Sequence, residues 1–162
     1  MKRYLMTGLG VAFVGALVAT VTQHNTADAH CQVPCGIYDD GARIQRMLED
    51  YTTIKKAMGQ ISQLAGKHDA LSVNQAARWV NTKEAHASNV ITTVSEYFLT
   101  QKVKEVAPGA DGYKAYLEKL AAHHKVLRAA MKTKQTLDPA NADGLASAIG
   151  AMAQHYATKE GS

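Results

Sequence analysis

Cysteine, proline and phenylalanine are scarce in this chain. Its 162 residues include two cysteines, three prolines and two phenylalanines. Two cysteines exclude a disulfide-rich scaffold, and few prolines alongside abundant alanine and lysine favour helices over sheet. The sequence also lacks internal repeats, low-complexity tracts and any second-domain boundary, which indicates one ordinary domain. Despite a formal net charge of +4, no basic block with interleaved aromatic residues is present, which argues against a nucleic-acid partner.

Charge is absent from one long stretch near the N-terminus. No charged side chain lies between Arg3 and Asp28, and the intervening residues are mostly apolar or small. A basic start, an apolar run and the small residues Ala27 and Ala29 around Asp28 are typical of an export signal. We therefore predict that residues 1–29 are a signal peptide that signal peptidase removes after Ala29.

The mature protein is accordingly expected to be exported, either periplasmic or extracellular, with no stable membrane association after cleavage. The alternative is a retained membrane anchor, because the apolar run is near the lower length limit of a membrane-spanning helix.

Beyond this stretch, apolar residues recur at steps of three and four, which predicts four amphipathic helices. Their expected ranges are 41–65, 72–103, 112–134 and 139–158. Gly66, the segment 107–112 and the Asp138–Pro139 pair supply the breaks, and Ser72 is the predicted N-cap of the second helix. The predicted fold class is all-α: an antiparallel four-helix bundle at 39–162, preceded by an N-terminal metal-binding hook at 30–38.

The inward face of the third helix follows from the same apolar pattern. It is expected to contain Tyr113, Tyr116, Leu117, Leu120, His124, Leu127 and Met131. The adjacent histidines, His123 and His124, must point in different directions on a helix. One of them is therefore expected to be buried and hydrogen-bonded and the other solvated.

Both cysteines lie in one short segment, where His30 directly precedes Cys31 and Pro34 directly precedes Cys35. Cleavage after Ala29 would give His30 a free α-amine beside its imidazole. Zinc usually takes four Cys or His side chains, and this segment offers three. If the amine or a backbone nitrogen completes the set, nitrogen and sulfur donors suit Ni(II) or Cu(II). Nickel is preferred because Cu(II) oxidises free thiols, whereas a Cys31–Cys35 disulfide is the metal-free alternative in an exported protein.

These positions match a known motif. They are His30, Cys31, Pro34, Cys35, Gly36, Tyr38 and Asp39. The segment resembles the N-terminal nickel hook of nickel superoxide dismutases, and the sequences RWVNTKEAH (78–86) and SEYFLTQ (95–101) are also similar to the family. The resemblance implies a four-helix bundle assembled as a homohexamer, with one nickel ion per subunit. It also implies conversion of superoxide to oxygen and hydrogen peroxide by nickel(III)/nickel(II) cycling.

The resemblance further implies roles for four residues. The His30 amine, the Cys31 backbone nitrogen and the thiolates of Cys31 and Cys35 would bind nickel in a plane. The His30 imidazole would be the axial ligand of the oxidised state. Tyr38 would act at the open face of the site, where it orders water or an anion without binding the metal.

One position departs from the family pattern. In some members a glutamate early in the first helix steadies the axial imidazole, and the nearest equivalent here is Gln45. Such a partner sets the orientation and donor strength of a metal-binding ring. Glu49, Arg43 and His86 are further candidates for this role.

Two other functions remain open from the sequence alone. The same hook could belong to an exported metal carrier without turnover, or the chain could be a structural bundle with a disulfide and a membrane anchor. Several lysines are expected to lie on solvated faces and together to attract the superoxide anion. They are Lys55, Lys56, Lys102, Lys104, Lys132 and Lys134.

Overall fold

The structure is a computed structural model that describes residues 38–156. Its helices are α1 (Asp40–Leu64), α2 (Ala70–Thr92), a π-helical segment (Thr93–Lys102) that continues α2, α3 (Tyr113–Gln135) and α4 (Pro139–Ala153). Residues 38–156 contain no strand, so the predicted all-helical class is confirmed for this range. The predicted signal peptide and the predicted metal ligands His30, Cys31 and Cys35 lie outside the described residues.

Each helix packs against two neighbours, and the four form a ring. Helix α1 packs against α2 and α4, and α3 packs against the same two helices from the other side. Asp40, at the start of α1, bonds to Tyr97 beyond the end of α2, whereas Asp50 further along α1 bonds to His86 within α2. This reversed order shows that α1 and α2 run antiparallel, as predicted for a bundle.

Aspartates begin three of the helices. The carboxylates of Asp39, Asp69 and Asp138 accept hydrogen bonds from the first-turn backbone amides of α1, α2 and α4 at 2.8, 2.9 and 3.0 Å. Such caps satisfy amides that have no partner within the helix. The Asp138–Pro139 start of α4 is therefore confirmed. Ser72 was wrong as the N-cap of the second helix, because Asp69 caps it and accepts from the Ser72 amide instead.

The third helix shows a different inward face from the predicted one. Its buried residues are His123, Val126, Ala130 and Thr133. The predicted inward residues Leu117 and Met131 are 45% and 41% exposed, and His124 is also exposed. Polar residues occupy the true inward stripe because each has internal partners: Thr133, for example, donates to the Ala130 carbonyl at 2.7 Å. Buried polar groups that are hydrogen-bonded carry little penalty, so the apolar pattern misplaced this face.

A buried lysine in the middle of α2 caps the C-terminal end of α3. Lys83 is 4% exposed, and its ammonium donates to the carbonyls of Thr133 and Lys134 and to the Glu84 carboxylate, at 3.0, 2.6 and 2.9 Å. These carbonyls lie in the last turn of α3, where no intrahelical donor remains. None of the helices within 38–156 is long and apolar enough to cross a membrane.

Candidate functional site around Tyr38

Tyr38 lies where the N-terminus of α1 meets the π-helical segment. Its side chain is half-exposed, and its ring is 3.9 Å from the guanidinium carbon of Arg43, one turn into α1. The Tyr97 ring, on the π-helical segment, lies 6.1 Å from it, centroid to centroid. A guanidinium over an aromatic face is attracted by the ring quadrupole. Arg43 and Tyr97 together hold the Tyr38 ring in place at the surface.

The buried Tyr97 side chain contacts both the start of α1 and the backbone of Tyr38. Its hydroxyl donates to Asp40 Oδ1 at 2.5 Å and lies 3.1 Å from the carbonyl oxygen of Tyr38. Lys102 approaches the same Asp40 oxygen at 3.0 Å. Burial and the Asp40 carboxylate raise the pKa of Tyr97, which therefore stays protonated and serves as a hydrogen-bond donor at neutral pH.

The π-helical segment determines which of its side chains reach Asp40. Its i→i+5 backbone bonding is visible at its end, where the Val103 amide donates to the Phe98 carbonyl at 3.0 Å. Within the segment, the Thr100 side-chain hydroxyl donates to the Ser95 carbonyl, also five residues earlier. Insertions of π-helix are rare and frequently occur at functional sites. Tyr97 and Lys102 lie five residues apart, and both contact Asp40.

Two open cavities border Tyr38. One of about 150 Å³ is lined by Arg43, Glu96, Tyr97 and Gln101, among others. The second, of about 510 Å³, lies on the side of Asp40, Lys102 and Tyr156. Both are large enough for water or a diatomic anion to reach the Tyr38 side chain.

The four residues considered as partners of the His30 imidazole lie at different distances from Tyr38. Arg43 contacts Tyr38, and Gln45 lines the larger cavity beside Tyr38. Glu49 and His86 instead line a third cavity of about 500 Å³, which does not include Tyr38. His86 is also engaged there, since its Nδ1 is 2.5 Å from Asp50 Oδ1. Of the four, Arg43 and Gln45 therefore lie beside Tyr38, and Arg43 lines the third cavity as well.

The described part of the chain offers no alternative metal centre. Within 38–156 no group of three or more His, Cys, Asp or Glu side chains is placed to hold an ion. Both cysteines of the sequence, Cys31 and Cys35, precede this range. Their thiolates, with the nitrogen donors of His30, form a donor set of the kind that nickel accepts. The residues present therefore fit a nickel ion.

Two of the lysines that were predicted to be solvated are engaged with other side chains. Lys102 pairs with Asp40, and Lys134 donates to Ser88 at 2.7 Å with Glu84 3.7 Å away. Lys134 is only partly exposed, so the prediction of a solvated face was wrong for that residue, whereas Lys102 is exposed as predicted. Lys55 keeps an exposed position while its ammonium contacts Asp143 at 2.6 Å.

Sequence reasoning assigned no role to Tyr97 or Asp40 and gave Lys102 only a general one in attracting an anion, although Tyr97 contacts Tyr38 and both Tyr97 and Lys102 bond to Asp40. One signal pointed toward Tyr97, because the segment 95–101 was singled out as characteristic. For Asp40 and Lys102 no signal existed, since a carboxylate at a helix start and a lysine on a helix are ordinary features.

Comparison with known proteins gives one finding. The family model described as nickel-containing superoxide dismutase matches residues 25–160. This range contains all the residues described by the structure and the segment with both cysteines. Searches of the curated proteins and of the solved structures find no match.

Proposed function

The chain belongs to the family of nickel-containing superoxide dismutases, and we propose that its active centre is the hook from His30 to Cys35, completed by Tyr38. The family is an oxidoreductase family that acts on superoxide with nickel as cofactor. The finer proposal concerns where nickel binds in this chain and how the site matures.

The observation that carries the proposal is the placement of the chain's only two thiols. Cys31 and Cys35 lie inside the matched range, next to His30, and residues 38–156 provide no competing cluster of ligands. The His30 amine and imidazole, the Cys31 backbone nitrogen and both thiolates would hold one nickel ion per subunit. When bound, nickel supplies the one-electron couple between its +3 and +2 states that oxidises one superoxide and reduces the next.

The described residues contribute placement and charge. Tyr38 follows Cys35 by three residues, and its ring is held by Arg43 and Tyr97. A held phenol keeps water or an anion at a fixed position at the mouth of the site. The Arg43 guanidinium beside the phenol attracts the superoxide anion, an effect that weakens as ionic strength rises.

Maturation is part of the same proposal. Removal of residues 1–29 by signal peptidase would free the His30 amine, so export would create the nickel site. The family match begins at residue 25, so the apolar stretch that precedes it lies outside the match. We also propose the homohexamer implied by the family resemblance, and a periplasmic or extracellular location for the mature protein.

Two preparations of one protein test the role of the amine. One starts at His30, and the other retains Ala29, which turns the amine into an amide. We expect stoichiometric nickel and superoxide consumption in the first and neither in the second. Thermal unfolding of the nickel-free forms is the control and should agree between them. Equal nickel content and activity in the two preparations would contradict ligation by the amine.

A further inference from the structure

A chain of aromatic rings runs from Tyr38 into the bundle. The Tyr38 and Tyr97 centroids are 6.1 Å apart, those of Tyr97 and Phe98 are 5.0 Å apart, and those of Phe98 and Tyr156 are 4.6 Å apart. Tyr97 and Phe98 are buried, whereas Tyr38 lies at the surface and Tyr156 is partly buried. Successive rings are thus in or near van der Waals contact along the whole path.

Tyr97 and Tyr156, the two tyrosines of this row of rings that lie inside the bundle, each have a proton acceptor. The Tyr97 hydroxyl donates to Asp40 at 2.5 Å. The Tyr156 hydroxyl is 2.6 Å from Nε2 of His123, and Nδ1 of His123 is 2.7 Å from the Lys119 carbonyl oxygen. A carbonyl only accepts, so Nδ1 carries the proton in the neutral ring, and Nε2 accepts from Tyr156.

The surroundings of His123 keep it ready to take a proton. The side chain is fully buried, and this burial lowers its pKa, so the ring is neutral at pH 7. A phenol loses its proton when it loses an electron, and a hydrogen-bonded neutral imidazole is a suitable acceptor. Packing alone does not require this arrangement, since Phe98 shows that a ring without a hydroxyl fits the same core.

From these contacts we propose that Tyr38, Tyr97 and Tyr156 form a redox relay that carries one-electron oxidation away from the Tyr38 site and ends on Tyr156. The oxidant is of the hydroxyl-radical class, the species that hydrogen peroxide yields on one-electron reduction. The relay would spare Cys31 and Cys35 from this oxidant. It goes beyond the proposed function and rests on it only for the source of peroxide.

In the forward step, Tyr156 loses one electron along the aromatic chain, and its phenolic proton passes to Nε2 of His123. The hydroxyl radical gains that electron and one proton from solvent, and becomes water. The products are a neutral Tyr156 phenoxyl radical and a His123 imidazolium.

The return step uses superoxide as the reductant. Superoxide gives one electron to the phenoxyl radical and leaves as oxygen, while the His123 proton returns to the phenolate oxygen of Tyr156. Access is available, because Tyr156 lines the same open cavity of about 510 Å³ as Tyr38 and Lys102. Both charge and protons are then restored to their starting state.

The test uses the nickel-loaded protein that starts at His30, with Trp79→Phe to remove the only tryptophan, a competing site of oxidation. Pulse radiolysis generates the dibromide radical anion as the one-electron oxidant. The phenoxyl absorption and the tyrosyl signal in electron paramagnetic resonance, distinct from any nickel signal, are the readouts. We expect a long-lived tyrosyl radical, and loss of most of it in Tyr156→Phe.

Tyr116→Phe is the matched control, because Tyr116 lies on α3 with its ring 6.2 Å from that of Tyr113, outside the proposed relay. We expect it to leave the signal unchanged. Equal signals in Tyr156→Phe and the parent, or equal loss in Tyr116→Phe, would overturn the proposal. Superoxide consumption is not a readout, so a failed relay and a failed dismutase assignment are distinguishable.

A second measurement needs no mutation in the relay. A nitroso spin trap is added during oxidation of the nickel-loaded protein with native tyrosines, and peptide mass spectrometry locates the adduct. We expect the trap on Tyr156 in excess over Tyr113 and Tyr116. An even spread of adducts over the exposed tyrosines would contradict directed transfer.

Discussion

The two ends of the bundle use polar side chains in opposite ways. At the end with Tyr38, the Tyr97 hydroxyl, Asp40 and Lys102 form a network beside two open cavities. At the other end, the buried Lys83 ammonium donates hydrogen bonds to two backbone carbonyls and a neighbouring carboxylate. The first network holds side chains that solutes can reach, whereas the second closes a helix terminus. We propose that function depends on the Tyr38 end and that stability depends more on the Lys83 end.

The largest difference between an effect on function and an effect on stability is expected from Cys35→Ser. This change removes one of the two thiolates, so nickel binding and superoxide consumption should both be lost. The nickel-free bundle should unfold at an unchanged temperature, because residue 35 precedes all four helices. Metal analysis, a superoxide assay and thermal unfolding check this. Retained stoichiometric nickel would show that the ion binds elsewhere.

Lys83→Met should have the reverse effect. It leaves the last-turn carbonyls of α3 without their buried donor, which should cost about 1–3 kcal/mol in the free energy of unfolding. Superoxide consumption per bound nickel should be unchanged, because Lys83 bonds to the last turn of α3, whereas Tyr38 lies at the start of α1. Lys132→Met is the control, since this exposed lysine on α3 should shift stability little. Urea unfolding measures both variants, and equal midpoints would refute the structural role of Lys83.

Tyr97→Phe tests how the first network holds Tyr38. It removes one hydrogen bond worth about 0.5–1.5 kcal/mol, so activity per nickel should fall by up to roughly tenfold. Nickel content should stay stoichiometric, which separates placement of Tyr38 from ligation. Tyr113→Phe serves as the matched control and should retain full activity. Loss of nickel in Tyr97→Phe would show that the network supports the hook itself.

The smallest effect is a pH dependence that arises from His123. Burial is the main cause of its lowered pKa, and the charges of Lys119 and His155 add to it, against the opposing Lys119 backbone bond. The unfolded chain therefore binds a proton more readily than the folded one. The contribution of neutral His123 to the free energy of unfolding is complete above the pKa of about 6.5 that histidine has in the unfolded chain. As the pH falls from there toward the lower pKa of His123 in the folded protein, this contribution declines by at most about 1.4 kcal/mol per pH unit.

Urea unfolding of the nickel-free protein between pH 7 and pH 5 measures this slope. His123→Gln should flatten the slope relative to the parent protein, whereas His124→Gln at the exposed neighbour should leave it unchanged. If only His124→Gln altered the slope, the pH dependence would not come from His123 and the assignment would be contradicted.

The fold was predictable where apolar residues alone form the inward face. In α1 the apolar residues Ile44, Met47, Ile54 and Met58 follow the helical spacing and are buried, and in α4 Leu145, Ile149 and Met152 do the same. The prediction was wrong for α3, where the buried polar residues His123 and Thr133 each have hydrogen-bond partners inside the bundle. No periodicity reports such partners, because they come from other helices or from the backbone.

The candidate site was predictable only in part, for a related reason. Tyr38 followed from its motif, but its supports depend on tertiary placement. Tyr97 and Lys102 reach Asp40 from a π-helical segment. Nothing in the local sequence distinguishes that segment from a continuation of α2, so its contacts with α1 could not be foreseen. Lys83 was missed because a lysine on a helix is normally exposed.

The central claim is that processing after Ala29 creates a nickel site from His30, Cys31 and Cys35. The most direct test is the intact mass and metal content of protein purified from its native export route. The account predicts a chain that begins at His30 with one nickel ion. A chain that still begins at Met1, lacks nickel and is two hydrogens lighter, as a Cys31–Cys35 disulfide requires, would contradict it.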